Sequence, residues 1–326
     1  MTYEETITKT QQELKEHASE WQDRYMKYLT NALENKESIL KRREKFHTWG
    51  NLKVYYTLGK ASRNSNCFDL RYQGQSVGEI RVYKNDEVKL FINEDQYGHN
   101  CDEKYFIGYP KDICVPNKKG YLWKSSIEAR KFKLYFKTDP GKQGHPEARF
   151  ESLLLEEFSK PNKSLPYIKP VTIGTRKDLY FQMTTPLSAS GESKRFAEKK
   201  GGGIDILARK QKGATNTLTI FELKDKNEIN EGPEKVICQA IAYATFIVEL
   251  CNTEARDKFW EFCGFNGKKH GNETINVSIL MPDPGGESYP DFTFKELSVP
   301  GSKMRLKLHC TYFDENAKIT RSSLNE

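Results

Sequence analysis

The sequence predicts a mixed α/β protein in which helices flank a mixed sheet, with a helical and then β-rich N-terminal region ahead of a larger C-terminal domain. Three observations predict it. Residues 3 to about 47 are rich in Glu, Lys and Gln and contain neither Pro nor Gly. Residues 50 to about 138 carry short alternating runs separated by turn residues. From residue 147 the order becomes helix, strand, hairpin, helix, strand, the pattern of a sheet covered by helices.

The first segment should be helical on propensity alone. Ile7, Leu14, Trp21 and Tyr28 recur every seven residues, so one face packs on something. The alternate heptad positions Thr10, His17 and Arg24 are polar, which argues against a coiled coil. "CFDLRYQ", "SVGEIRVYK" and "EVKLFIN" then read as a meander of hairpins turning at Gly74-Gln75 and Asn85-Asp86. "SSIEARKFKLYFKTD" reads as a half-buried strand closing this region. "PGKQGHP" (140–146) breaks the composition, and the domain boundary is placed there, dividing 1–140 from 141–326.

Beyond it, "EARFESLLLEEFSK" (147–160) is an amphipathic helix with Phe150, Leu153, Leu154 and Phe158 along one side. "LYFQMTT" is a strand, and "GPEKVICQAIAYATFIVELC" is a helix with Pro233 in its first turn. "TINVSILMPD" and "MRLKLHCTYFD" supply further strands.

Composition narrows the class of protein. A chain of 326 residues suffices for roughly two domains. Its 30% charged and 37% hydrophobic residues exclude a disordered or membrane-embedded composition. The polar start "MTYEETITKT" has no apolar core for a signal peptide, and "AIAYATFIVEL" (240–250) is too short to span a bilayer. Seven irregularly spaced cysteines point to free thiols and a cytoplasmic location. The net charge of +7 suits a polyanionic partner.

The stretch "GGGIDILARKQKGATNTLTIFELKDKNE" (201–228) carries charges where a buried hairpin should be apolar. Centring its turn on Gly213-Ala214 sets Asp205 directly across from Glu222, with Cβ atoms about 5 Å apart. Lys224, two residues further on, shares that face. Two carboxylates so close repel unless a cation lies between them, and Mg²⁺ takes one or two protein carboxylates beside waters and phosphate oxygens. Lys224 can orient a water or stabilise charge on a phosphate. Gly201 to Gly203 leave bare backbone, which would let a polymer approach. The pattern points to phosphodiester hydrolysis.

Asp205 followed by Glu222-Leu223-Lys224 on the next strand resembles the D…(D/E)xK core of the PD-(D/E)XK nuclease superfamily. Glu151, in "RFESLLLEEF", resembles the acidic residue that family adds to its metal site, and Gln239 and Tyr243, in "CQAIAYATF", resemble the Q-x-x-x-Y helix of its RecB-like branch. Ile204 stands where the family's proline would be. The resemblance covers roughly residues 147 to 285. It implies a restriction-endonuclease-like domain hydrolysing DNA with Mg²⁺ or Mn²⁺, as an endonuclease of restriction, defence or repair. Asp205, Glu222 and Glu151 would hold the metal, Lys224 would assist the water, and Gln239 and Tyr243 would orient Lys224 or a phosphate. The alternatives are a catalytically silent nucleic-acid-binding or assembly module on the same fold, or an exonuclease working with a separate helicase. RNA as substrate, a methyltransferase partner and a homodimer stay open, and no membrane partner is expected.

Lys194, Arg195, Lys199 and Lys200 precede the glycines and would contact phosphates without reading sequence. Arg130, Lys131, Lys133 and Lys137 are a second basic group. His99, Cys101 and Cys114 lack the paired spacing of a zinc site, and Cys238, Cys251, Cys263 and Cys310 lack the grouping of an iron–sulfur cluster. "GFNGKK" (264–269) falls short of a P-loop.

Overall fold

A computed structural model describes residues 1–48, 50–59, 61–62, 65–92, 114–137, 146–161, 163–174, 178–188, 195–198, 201–212, 215–225, 232–265, 274–286 and 288–326. They form a mixed α/β protein. The chain opens with α1 (Tyr3–Glu16), α2 (Ala18–Glu34) and α3 (Lys36–Arg43), followed by β1 (Leu52–Thr57), β2 (Ala61–Ser62), β3 (Ser65–Tyr72), β4 (Gln75–Tyr83), β5 (Val88–Ile92) and β6 (Tyr121–Leu122). Next come α4 (Ile127–Lys137), α5 (Pro146–Ser159), β7 (Ile168–Pro170), β8 (Leu179–Thr184), β9 (Leu187–Ser188), β10 (Arg195–Phe196), β11 (Gly203–Ile204), β12 (Ile206–Lys212) and β13 (Thr215–Leu223). The last elements are α6 (Pro233–Cys251), α7 (Arg256–Phe262), β14 (Thr274–Pro282), β15 (Glu296–Ser298), β16 (Arg305–Phe313) and β17 (Ile319–Ser322). Among the described residues no helix is long and apolar enough to cross a membrane.

Two compact units share the chain. Unit 1 comprises Met1–Leu33, Leu153–Val171 and Gln182–Glu326; unit 2 comprises Glu34–Ser152 and Thr172–Phe181. Their division differs from a single cut at residue 140, and most of the 140–146 break itself lies outside the described residues.

In unit 1 the sheet order is β15-β16-β14-β13-β12-β7, with β17 beside β16. β13, β14 and β16 run parallel, while β7, β12, β15 and β17 pair antiparallel. Phe221 and Glu222 are adjacent on β13 and so point to opposite faces. The C-terminal half of α5 covers the first face, where Phe158 meets Phe221 at 5.5 Å between ring centroids. The other face is covered by α6. This helix is apolar nearly all round because it is enclosed between the sheet and the N-terminal helices. Ile7 and Leu14 of α1 are buried, and the rings of Trp21 and Tyr25 on α2 pack against Phe246. The predicted seven-residue stripe holds up to Trp21. Beyond it Tyr25 and Leu29 are buried and Tyr28 only partly so.

Unit 2 is built on an antiparallel meander, β1-β3-β4-β5-β6. Gln73 and Gly74, both at positive φ, turn β3 into β4, which suits a two-residue hairpin. The segment 127–137 is the helix α4 and not a strand. Its alternating residues Phe132, Leu134 and Phe136 look like a strand, but Ala129, Phe132 and Phe136 are the positions that are buried, at helical spacing. Ser126 starts the helix, its Oγ accepting from the Ala129 N–H at 3.1 Å.

Candidate functional site

The hairpin β12–β13 has the register that centring its turn on residues 213 and 214 predicts. Ile206 pairs with Phe221, and the ladder runs on to Lys212 with Thr215. One step beyond Ile206 brings Asp205 across from Glu222. Asp205 sits where the strand changes partners: Gly203 and Ile204 pair with Thr184 and Met183 on β8, whereas Ile206 onward pairs with β13. With the backbone turned away at this point, the carboxylate takes over from it. Asp205 Oδ2 accepts from the Leu223 N–H at 2.8 Å.

Glu222 is held deep in the sheet, in parallel register with Ile279 on β14. It is 1% exposed, and its Oε1 lies 3.3 Å from Lys224 Nζ. The lysine is buried too, and its own N–H donates to the Leu280 carbonyl at 3.0 Å. A charged pair this deep persists only if its geometry and partners compensate desolvation, so the two groups restrict each other's rotamers.

From α6, Gln239 Nε2 approaches the Tyr243 hydroxyl at 3.5 Å. Burial raises the Tyr243 pKa far above the ordinary tyrosine range. The charge of Glu222 adds to this, the Gln239 hydrogen bond opposes it, Asp205 adds again and Lys224 opposes. The phenol therefore stays protonated, a hydroxyl surrounded by Glu222, Gln239, Asp205 and Lys224. Asp205, Glu222, Lys224, Gln239 and Tyr243 thus come together in unit 1.

Glu151 has a different setting. It belongs to unit 2, where its Oε1 lies 3.4 Å from Arg71 Nη1. Arg71 also donates from Nε to Asp69 Oδ2 at 2.9 Å, and its guanidinium lies 4.0 Å from the centroid of the Tyr55 ring. Burial raises the Glu151 carboxyl to about 7; Arg71 opposes the shift, while Glu147 and Asp69 add to it.

The glycines have a tighter role than bare access. A Cβ on Gly202 would lie 2.2 Å from the Tyr243 hydroxyl, and one on Gly201 would meet the Thr185 and Leu187 backbone at 2.3–2.6 Å. Here the missing side chains admit the phenol and a neighbouring strand. Gln182, whose amide would lie 3.2 Å from a Cβ on Gly203, is a site neighbour that no local spacing announces, because β8 reaches β11 only through the fold.

Of the basic loop, Lys194, Lys199 and Lys200 lie outside the described residues. Arg195 is exposed on β10, paired with Ser188. Beside it Phe196 is pinned by the N-terminal helices: its N–H donates to Glu13 at 2.9 Å and its ring stacks on His17 at 4.0 Å.

Among the described residues no group of three or more His, Cys, Asp or Glu converges to hold a metal. The register sets Asp205 across from Glu222, and both side chains carry hard oxygen atoms. That suits Mg²⁺ or Mn²⁺, which fill the remaining positions with water and phosphate oxygen. No family model, no curated protein and no solved structure matches the chain.

Proposed function

We propose that the protein is a Mg²⁺- or Mn²⁺-dependent nuclease hydrolysing DNA phosphodiester bonds, with unit 1 as a restriction-endonuclease-like catalytic domain. The observation that carries the reading is Asp205 and Glu222 brought together by the hairpin register, with Lys224 clasped to Glu222. A bound metal would lower the pKa of a water and polarise the scissile phosphate. Asp205 and Glu222 would hold it. Lys224 keeps its ammonium on the same face, where it can stabilise charge growing on the phosphate as water forms a new P–O bond and the P–O bond to the leaving alcohol breaks. Tyr243, braced by Gln239, fixes the carboxylate side of the site and excludes bulk water from it. Glu151 is left out of the metal set because its carboxyl already faces Arg71.

The test is cleavage of supercoiled and linear DNA in Mn²⁺, Mg²⁺ and EDTA by wild type and by Asp205→Asn, Glu222→Gln and Lys224→Ala. Wild type should cut only with metal, and each variant should lose about 100-fold or more in rate. Calcium affinity should fall in the two carboxylate variants and survive in Lys224→Ala, because an ammonium cannot be a ligand. A wild type that cuts no DNA under any of these conditions would leave the silent binding module as the better reading.

A further inference from the structure

The outer face of α4 is built for contact. Among the described residues seven large apolar side chains are exposed, and four of them (Val115, Leu122, Ile127 and Leu134) lie between residues 115 and 134. The same segment, 115–137, holds seven Lys and Arg against one Glu, a local excess of six positive charges in a chain whose net charge is +7. The helix itself is firmly seated. Ala129, Phe132 and Phe136 are fully buried, and Lys133 donates to the Trp123 carbonyl at 2.8 Å with its ammonium over the indole.

At 3.6 residues per turn Ile127 and Leu134 fall within about 20° of each other, on the side opposite the buried stripe. Lys131 flanks this ridge on one side, and Arg130 and Lys137 flank it on the other, all three exposed. An aliphatic ridge bordered by cations on both sides matches the cross-section of a B-DNA major groove. The groove, about 12 Å wide, has phosphates on both rims and thymine methyl groups on its floor. Eleven helical residues span roughly 16 Å, enough to lie along it.

We propose that the outer face of α4 docks in the major groove of duplex DNA, with Arg130, Lys131 and Lys137 on the phosphates and Ile127 and Leu134 against the bases. The choice of partner rests on the nuclease reading, but the surface belongs to unit 2 alone. It also distinguishes DNA from RNA, because the major groove of A-form RNA is too narrow and deep to admit a helix.

The experiment measures binding of the full chain, in EDTA, to a short fluorescent duplex as DNA, as DNA with deoxyuridine replacing thymidine, and as RNA of the same sequence. Duplex DNA should bind at least tenfold more tightly than RNA. Arg130→Gln with Lys131→Gln should weaken binding to every DNA sequence and flatten the slope of log affinity against log salt, by up to about 0.9 per phosphate contact. Ile127→Ser with Leu134→Ser should leave the slope alone and abolish the preference for thymidine over deoxyuridine. Circular dichroism should show native helix content in both, since all four positions are exposed. Undiminished DNA affinity in both double variants, or RNA bound as tightly as DNA, would overturn the proposal. Cleavage of saturating DNA in Mn²⁺ is the separate readout. If wild type never cuts yet the α4 variants lose duplex affinity, the nuclease reading fails and the docking face stands.

Discussion

At Glu151 a buried carboxyl shares one guanidinium with Asp69, and burial raises its pKa from 4.5 to about 7. The folded state therefore favours its protonated form. The stability this contributes is complete below about pH 4.5 and is lost as pH rises through about 7. Glu151→Gln keeps the shape and cannot ionise. Measured from about pH 5 to about pH 8, the variant's Tm minus that of wild type should become steadily more positive. A difference that stays constant across the range would refute the assignment. Asp205 allows a similar dissection. Asn at this position can still accept from the Leu223 N–H, whereas Ala cannot, so Asp205→Ala should be less stable than Asp205→Asn by about 1–3 kcal/mol in urea melts. Equal stabilities would mean that the strand holds its turn without the carboxylate. In sequence, Glu151 stands out for preceding an apolar run. Arg71, its partner, lies 80 residues earlier on another element, a separation that no local pattern reports.

Among the elements, the segment from β8 through β11 comes close to α6 where Gly202 lies against the Tyr243 hydroxyl. Gly202→Ala should destabilise unit 1 by about 1–3 kcal/mol, as overpacking does. In a Tyr243→Phe background, where the hydroxyl is gone, the same change should cost less. Thermal melts of the two single variants and the double variant give the coupling. Additive effects would show that the glycine is needed for some other reason. The hairpin β12–β13 was legible because its pairing is local: residues 206–212 face 215–221 close by in the chain, and the register sets which charges meet. α4 was not, since "KFKLYFK" carries apolar residues at both period 2 and helical spacing. The choice between the two was made by Ser126 at its start and by a core that accepts residues 129, 132 and 136. The heptad stripe was legible as far as Trp21, beyond which Tyr25, packed on Phe246, and Leu29 are buried in place of Tyr28.

At the scale of the whole molecule, the N-terminal helices belong with the last half of the chain. A protein shortened to begin at residue 141 would retain every group of the proposed site and lose α1 and α2, leaving one side of α6 bare. It should bind a hydrophobic dye strongly and melt without a cooperative transition, whereas full-length protein melts cooperatively. A sharp melt from the shortened chain would show that unit 1 does not need them. The sequence shows an apolar stripe on these helices but not where it goes, because periodicity says that a face is covered and nothing about by what. Their placement also sets a schedule for synthesis. α1 leaves the ribosome roughly 200 residues before α6 exists, a wait of about 10–40 s at ordinary elongation rates of about 5–20 residues per second. During that interval Glu34–Ser152, contiguous in the chain, can collapse while Ile7, Leu14 and Trp21 stay uncovered on the nascent polypeptide. These helices are made long before the helix that shelters them, so their apolar stripe is late to find its cover.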